Sequence, residues 1–181
     1  MLPDITLTDT LRTAMALLFA AAVAHKLRNI ASFRRTVGQY MRGLGVPAPG
    51  IERSLSLAVV LLELSVVAAC LLPRDALISA VLASGTLLLY ALAMAINLLR
   101  HNELPDCGCN WGEQPQPVGL ALVIRNCILA LMAMAIALPV AHRELFIMDI
   151  ACVALATIAA ALLYAAANRA LVLDGPAWRI N

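Results

Sequence analysis

Leu55 to Leu99 reads LSLAVVLLELSVVAACLL, then Pro73-Arg74-Asp75, then ALISAVLASGTLLLYALAMAINLL. Each apolar run is roughly 18–24 residues, the length that crosses a ~30 Å hydrocarbon core at about 1.5 Å per residue. A proline and two charged residues between such runs make a tight turn, so the two segments predict an antiparallel pair of membrane spans. Working outward, Leu11–Leu27, Val118–Leu138 and Phe146–Ala167 have the same character. The expected fold is all-α: a polytopic membrane helical bundle of about five transmembrane helices, four forming a core plus one. Its spans fall at 11–27, 55–72, 76–99, 118–138 and 146–167, within one integral membrane domain covering 1–181.

Composition agrees. The chain is 62% hydrophobic and 13% charged, with a mean hydropathy of +0.88. Soluble domains are about half apolar and a quarter charged, and one this small leaves roughly a third of its surface in water. A net charge of +2 with basic residues gathered at span ends gives no reason to expect nucleic-acid binding. Asp4 and Asp9 precede Arg12, where a signal peptide wants a positive start, so the first span is expected to be retained.

Between the first two spans, Asn29 to Arg53 is polar and basic, with Phe33, Val37, Tyr40, Met41 and Leu44 at helical spacing. This pattern predicts a short amphipathic helix on the membrane surface, ended by Gly43, Gly45 and Pro47. Alternation of the spans puts this helix at the same mouth of the bundle as the loop Arg100–Pro117. Pro115 and Pro117 suit the start of the fourth span.

Polar groups within the spans are few: Glu63, Asn97, Arg125 and Asn126. Ionisable side chains in hydrocarbon are expensive, so they face the bundle interior, find partners and mark function. Glu63 and Arg125 fall at a similar depth, ~10–15 Å from that mouth, which predicts a buried ion pair. A purely structural clamp and a functional pair are equally open at this level. A protonated, unpaired Glu63 is the weaker alternative beside an arginine of matched depth.

Five cysteines are present. Cys70, Cys127 and Cys152 sit in apolar runs, where cysteine commonly serves as small apolar filler. Cys107-Gly108-Cys109 lies in the polar loop. Two cysteines one residue apart close only a small strained ring, and a strained disulfide is labile or catalytic rather than structural. A pair of free thiols with no redox role is the alternative, since CxC alone is a weak motif. His101 would make a third metal ligand, but no fourth is evident, so no metal site is expected.

These features, taken in order, resemble the methylamine-utilisation MauE proteins, grouped with DoxX-like membrane proteins. The matching residues are Lys26 closing the first span, Tyr40 before the Gly/Pro turn, Glu63, Asn97, Cys107-Gly108-Cys109 and Arg125-Asn126. One departure is visible, because Asn110 stands between the second cysteine and Trp111-Gly112. The resemblance implies a part in maturing methylamine dehydrogenase, whose small subunit is rich in disulfides and carries a tryptophan-derived quinone. It also implies a thioredoxin-like partner of the MauD kind.

The expectation is therefore a membrane thiol–disulfide oxidoreductase in which Cys107 and Cys109 carry the chemistry. Glu63, Arg125, Asn126, Asn97 and Lys26 would support the site or bind a membrane quinone. A non-enzymatic scaffold for the partner and a small transporter are the rivals. Neither needs the cysteine pair, and a transporter favours broken helices and repeat symmetry. Topology pulls two ways. Lys26, Arg28, Arg34, Arg35, Arg42 and Arg53 argue by the positive-inside rule for a cytoplasmic mouth. Disulfide chemistry argues for an oxidising compartment. The chemistry is preferred: a bacterial inner-membrane protein, multi-pass and embedded in lipid, with the cysteine loop on the periplasmic side.

Overall fold

The computed structural model describes residues 4–46, 50–72, 75–100, 119–140 and 146–173. Cys107, Cys109, His101 and the prolines at 73, 115 and 117 lie outside these residues. The chain runs α1 (Ile5–Arg28), α2 (Ile30–Gly43), α3 (Ile51–Leu71), α4 (Ala76–Leu99), α5 (Leu120–Met134), a 3-10 turn (Ala135–Ala137) and α6 (Ile147–Leu173). There is no strand among the described residues. Five helices are long and apolar enough to cross a membrane, the fourth counting α5 with its 3-10 turn. This is a multi-pass helical membrane protein.

Helix ends follow local chemistry. Asp4 caps α1, its carboxylate accepting from the Thr6 amide at 3.0 Å. The last turn of α1 carries His25, Lys26 and Arg28, which complement the negative end of the helix dipole. α2 stops where Gly45 takes a φ of +79° and its amide returns to the Arg42 carbonyl at 2.9 Å. The expected stop signal is thus realised at Gly45. At the far end of α3, Arg12 of α1 reaches two orphan carbonyls, Cys70 at 3.2 Å and Leu72 at 2.6 Å.

Packing explains why the bundle holds without an apolar driving force against lipid. Val66, Ala80, Ala83, Ala130, Ala133 and Ile136 are almost wholly buried where α3, α4 and α5 meet. Small residues on facing helices let backbones approach and gather dispersion contacts. Ser79 of α4 adds a hydroxyl bond to the Ala69 carbonyl of α3 at 2.6 Å. By contrast α6 packs chiefly against α1, with 6% of its span buried against 44% for α4. It is the outer member of a four-plus-one arrangement.

The helix expected between the first two spans is α2. Phe33, Thr36 and Val37 are buried and Arg34, Arg35 and Arg42 are exposed. Its apolar face packs on Val23 of α1 and Val60 of α3. Arg100, at the end of α4, donates to the Gly43 carbonyl at 3.1 Å. That bond ties the start of the cysteine loop to the end of α2, so both stand at one mouth.

Candidate functional site

Lys26 lies in the last turn of α1, near enough to the end for its chain to swing outward or inward, and it turns inward. It is 2% exposed, and Glu63 of α3 is 0% exposed. Lys26 Nζ and Glu63 Oε1 form a buried ion pair. Tyr90 of α4 donates its hydroxyl to the same carboxylate oxygen at 2.7 Å. The rings of Phe33 and Tyr90 each lie with centroids 5.1 Å from the ammonium, so the cation is also held by aromatic faces. Four helices contribute to this one charge pair.

This corrects the sequence expectation that Glu63 pairs with Arg125. The carboxylate is taken by Lys26, because depth along the spans matched Glu63 to Arg125 but carries no information on which way each helix face turns. Arg125 Nη1 instead donates to Asn168 Oδ1 of α6 at 2.6 Å, and its guanidinium lies 5.7 Å from the Tyr164 ring centre.

Glu63 and Arg125 nevertheless belong to the same place. Both line a cavity of about 30 Å³, together with Tyr90, Asn126, Leu129 and Tyr164. Asn126, on α5 beside Arg125, is 3% exposed. In three of these residues a buried side-chain atom has no hydrogen-bond partner among the described residues: Glu63 Oε2, Arg125 Nε and Asn126 Nδ2. Asn97, also buried, does not line the cavity, and its amide donates to the Ala93 carbonyl one turn back at 2.9 Å.

The quinone expectation meets a size limit here. A cavity that takes a benzene ring is about 150 Å³. The space lined by Glu63, Arg125 and Asn126 is several-fold smaller, and a quinone ring does not fit it.

Tyr90, Tyr164 and Asn168 were not anticipated. A tyrosine in the middle of an apolar span is the one available signal, because its hydroxyl needs a partner when buried.

A multi-pass bundle enclosing a lysine–glutamate pair beside a small, mostly apolar cavity with a few polar groups is the class this structure defines. The chain matches the family described as Methylamine utilisation protein MauE over residues 5–139, and it belongs to that family. Its relatives include the methylamine utilization protein MauE of Paracoccus denitrificans, 38% identical over 127 residues, which covers 70% of this chain and 66% of the relative. That of Paracoccus versutus is 33% identical with the same coverage. That of Methylorubrum extorquens is 34% identical over 143 residues, covering 78% of this chain and 75% of the relative. The chain thus spans just under two thirds of the two Paracoccus relatives. No solved structure matches.

Proposed function

We propose that this protein is a membrane thiol–disulfide oxidoreductase that works with a thioredoxin-like, MauD-like partner in maturing the small subunit of methylamine dehydrogenase. The observation that carries the reading is the Cys107-Gly108-Cys109 sequence between the ends of α4 and α5. Its setting supports it, because Arg100 fastens the root of that loop to α2. Membership of a methylamine-utilisation family supplies the pathway.

The exchange balances within the two proteins. A thiolate of the reduced partner attacks one sulfur of the Cys107–Cys109 disulfide, and that S–S bond breaks as a mixed disulfide forms. The cysteine not attacked leaves as a thiolate in that step; the partner's second thiolate then attacks the partner's own sulfur in the mixed disulfide and releases the cysteine attacked first. Two electrons pass to Cys107 and Cys109, which end as thiols, and the partner ends as a disulfide ready to oxidise its client. The direction in which the partner approaches is set by the exposed arginines of α2, Arg34, Arg35 and Arg42, at the same mouth.

The mouth belongs on the periplasmic side in this reading, because an oxidising compartment sustains such chemistry. Lys26 is withdrawn from the charges that would hold the mouth inside, since it is buried in its ion pair.

The test is direct. Cys107→Ser and Cys109→Ser each abolish maturation of the dehydrogenase while the protein stays in the membrane, and the partner is trapped as a mixed disulfide on the single-cysteine variant. Full dehydrogenase activity in the double variant would leave a non-enzymatic scaffold. An impermeant thiol reagent labels Cys107 or Cys109 in intact, mildly reduced spheroplasts. Labelling only after the membrane is opened puts the mouth in the cytoplasm.

A further inference from the structure

Asp9 is followed by Arg12 and Thr13 three and four residues on, so the three share one face of α1. With Cys70 and Leu71 of α3 they line an open cleft of about 290 Å³. It lies at the end of the bundle away from the mouth, where α1 starts and α3 ends. The 21 residues of α3, at about 1.5 Å each, just cross a ~30 Å core, so its last turn stands at the headgroup boundary.

The two charges of the cleft are not paired with each other: among the described residues no ion pair joins Asp9 to Arg12. Arg12 gives Nε to the Cys70 carbonyl and Nη2 to the Leu72 carbonyl. Both acceptors are neutral, and the guanidinium fork keeps further N–H groups, those of Nη1 among them. The Thr13 hydroxyl donates to the backbone carbonyl of Asp9 and leaves its carboxylate alone. We propose that this cleft binds the headgroup of an ethanolamine phospholipid. The phosphate accepts from the remaining N–H groups of Arg12, and the ammonium donates to the Asp9 carboxylate.

Spacing and sign select this head. Side chains three apart on a helix have Cβ atoms about 5–6 Å apart, and two carbons hold a phosphate and an ammonium at a comparable separation. A purely anionic head would suit Arg12 but would face the Asp9 carboxylate. A choline head carries both charges, yet its methylated nitrogen has no N–H to give. The volume equals about ten waters at roughly 30 Å³ each, ample for a phosphate with its two-carbon amine. Arg12 already joins α1 to α3, so a lipid seated on it fastens this end of the pair as Lys26–Glu63 fastens the other. The site stands independently of whether the loop cysteines are redox-active.

Lipid competition on the full chain tests it. Protein stripped of lipid in detergent is given equal amounts of phosphatidylethanolamine, phosphatidylglycerol and phosphatidylcholine with the same acyl chains, and bound lipid is read by native mass spectrometry. Phosphatidylethanolamine is expected to be retained about tenfold over the other two, the weight of one hydrogen bond to a charged group. Asp9→Asn keeps the side chain's shape and leaves the α3 carbonyls capped, and it brings phosphatidylethanolamine down to the level of phosphatidylcholine. Arg12→Gln lowers it further; if that variant does not fold, the wild-type ranking and Asp9→Asn decide the matter alone. Equal retention of the three lipids, a preference for phosphatidylglycerol, or an Asp9→Asn variant that keeps the wild-type preference overturns the site. Free phosphoethanolamine that displaces the lipid at equal concentration overturns it too, since the cleft would then take a soluble phosphate ester.

Discussion

The fold deals differently with two of the cations in its spans, Lys26 and Arg125. Lys26 is buried on core helices, paired with a carboxylate and flanked by two aromatic rings. Arg125 is half-buried, and its contacts among the described residues are neutral: the Asn168 carbonyl oxygen and the Tyr164 ring. A cation sealed in the bundle needs a full opposite charge, because solvent no longer screens it and an uncompensated charge is costly. One at the edge holds with a dipole and a ring face. The core pair should therefore govern stability. The Arg125 cluster, built on the outermost helix, is the adjustable side of the cavity.

The sharpest way to break this contrast is to remove one charge of the core pair. Lys26→Met leaves Glu63 uncompensated and is expected to lower stability by about 3–5 kcal/mol. Lys26→Met/Glu63→Leu should recover most of that loss. Folding equilibria measured in bicelles or nanodiscs would show it, and additive losses in the double variant would mean the pair does not couple.

A smaller effect is expected at the edge. Asn168→Leu strips the acceptor from Arg125 and should cost about 1–2 kcal/mol, in the range of hydrogen bonds to charged groups and the upper range of interhelical bonds. The same measurement checks it, and a loss matching that of Lys26→Met would erase the distinction between the two cations. Tyr90→Phe removes one hydroxyl donor from a carboxylate oxygen that keeps its lysine. Its expected cost is about 0.6 kcal/mol, the mean for polar contacts between membrane helices.

The least effect belongs to Glu52→Ala at the mouth. Glu52 Oε1 is 3.9 Å from Arg42 Nη1, and the side chains are 39% and 62% exposed. Such surface pairs contribute about 0–1 kcal/mol, so stability should hold within about 0.5 kcal/mol. A large loss would mean that the contact of the Glu52 carboxyl with the backbone at Gly38 anchors α2.

The spans were legible because twenty or so apolar residues in a row have few other uses, and α2 because its apolar positions recur at helical spacing before glycine. Site membership was partly legible: intramembrane polarity pointed to Glu63, Arg125 and Asn126, which the cavity brings together. The pairing was not. Lys26 stands near the end of a span, where a lysine ordinarily reaches outward to the headgroups. Tyr90 was hidden by counting as apolar. Asn168 lay one residue beyond the expected end of the last span, whereas α6 continues to Leu173. Placement of Cys107 and Cys109 lies outside the described residues, so the sequence remains their only warrant.

The ion pair between α1 and α3 also bears on how the protein is made. Lys26 leaves the ribosome well before Glu63, and its long side chain can rest at the headgroup level while α1 is alone in the bilayer. Its buried position in the finished bundle needs the carboxylate that α3 brings. Tyr90, later in the chain on α4, adds its hydroxyl to the same carboxylate. A chain halted before α3 would hold Lys26 without the carboxylate that neutralises it in the finished bundle.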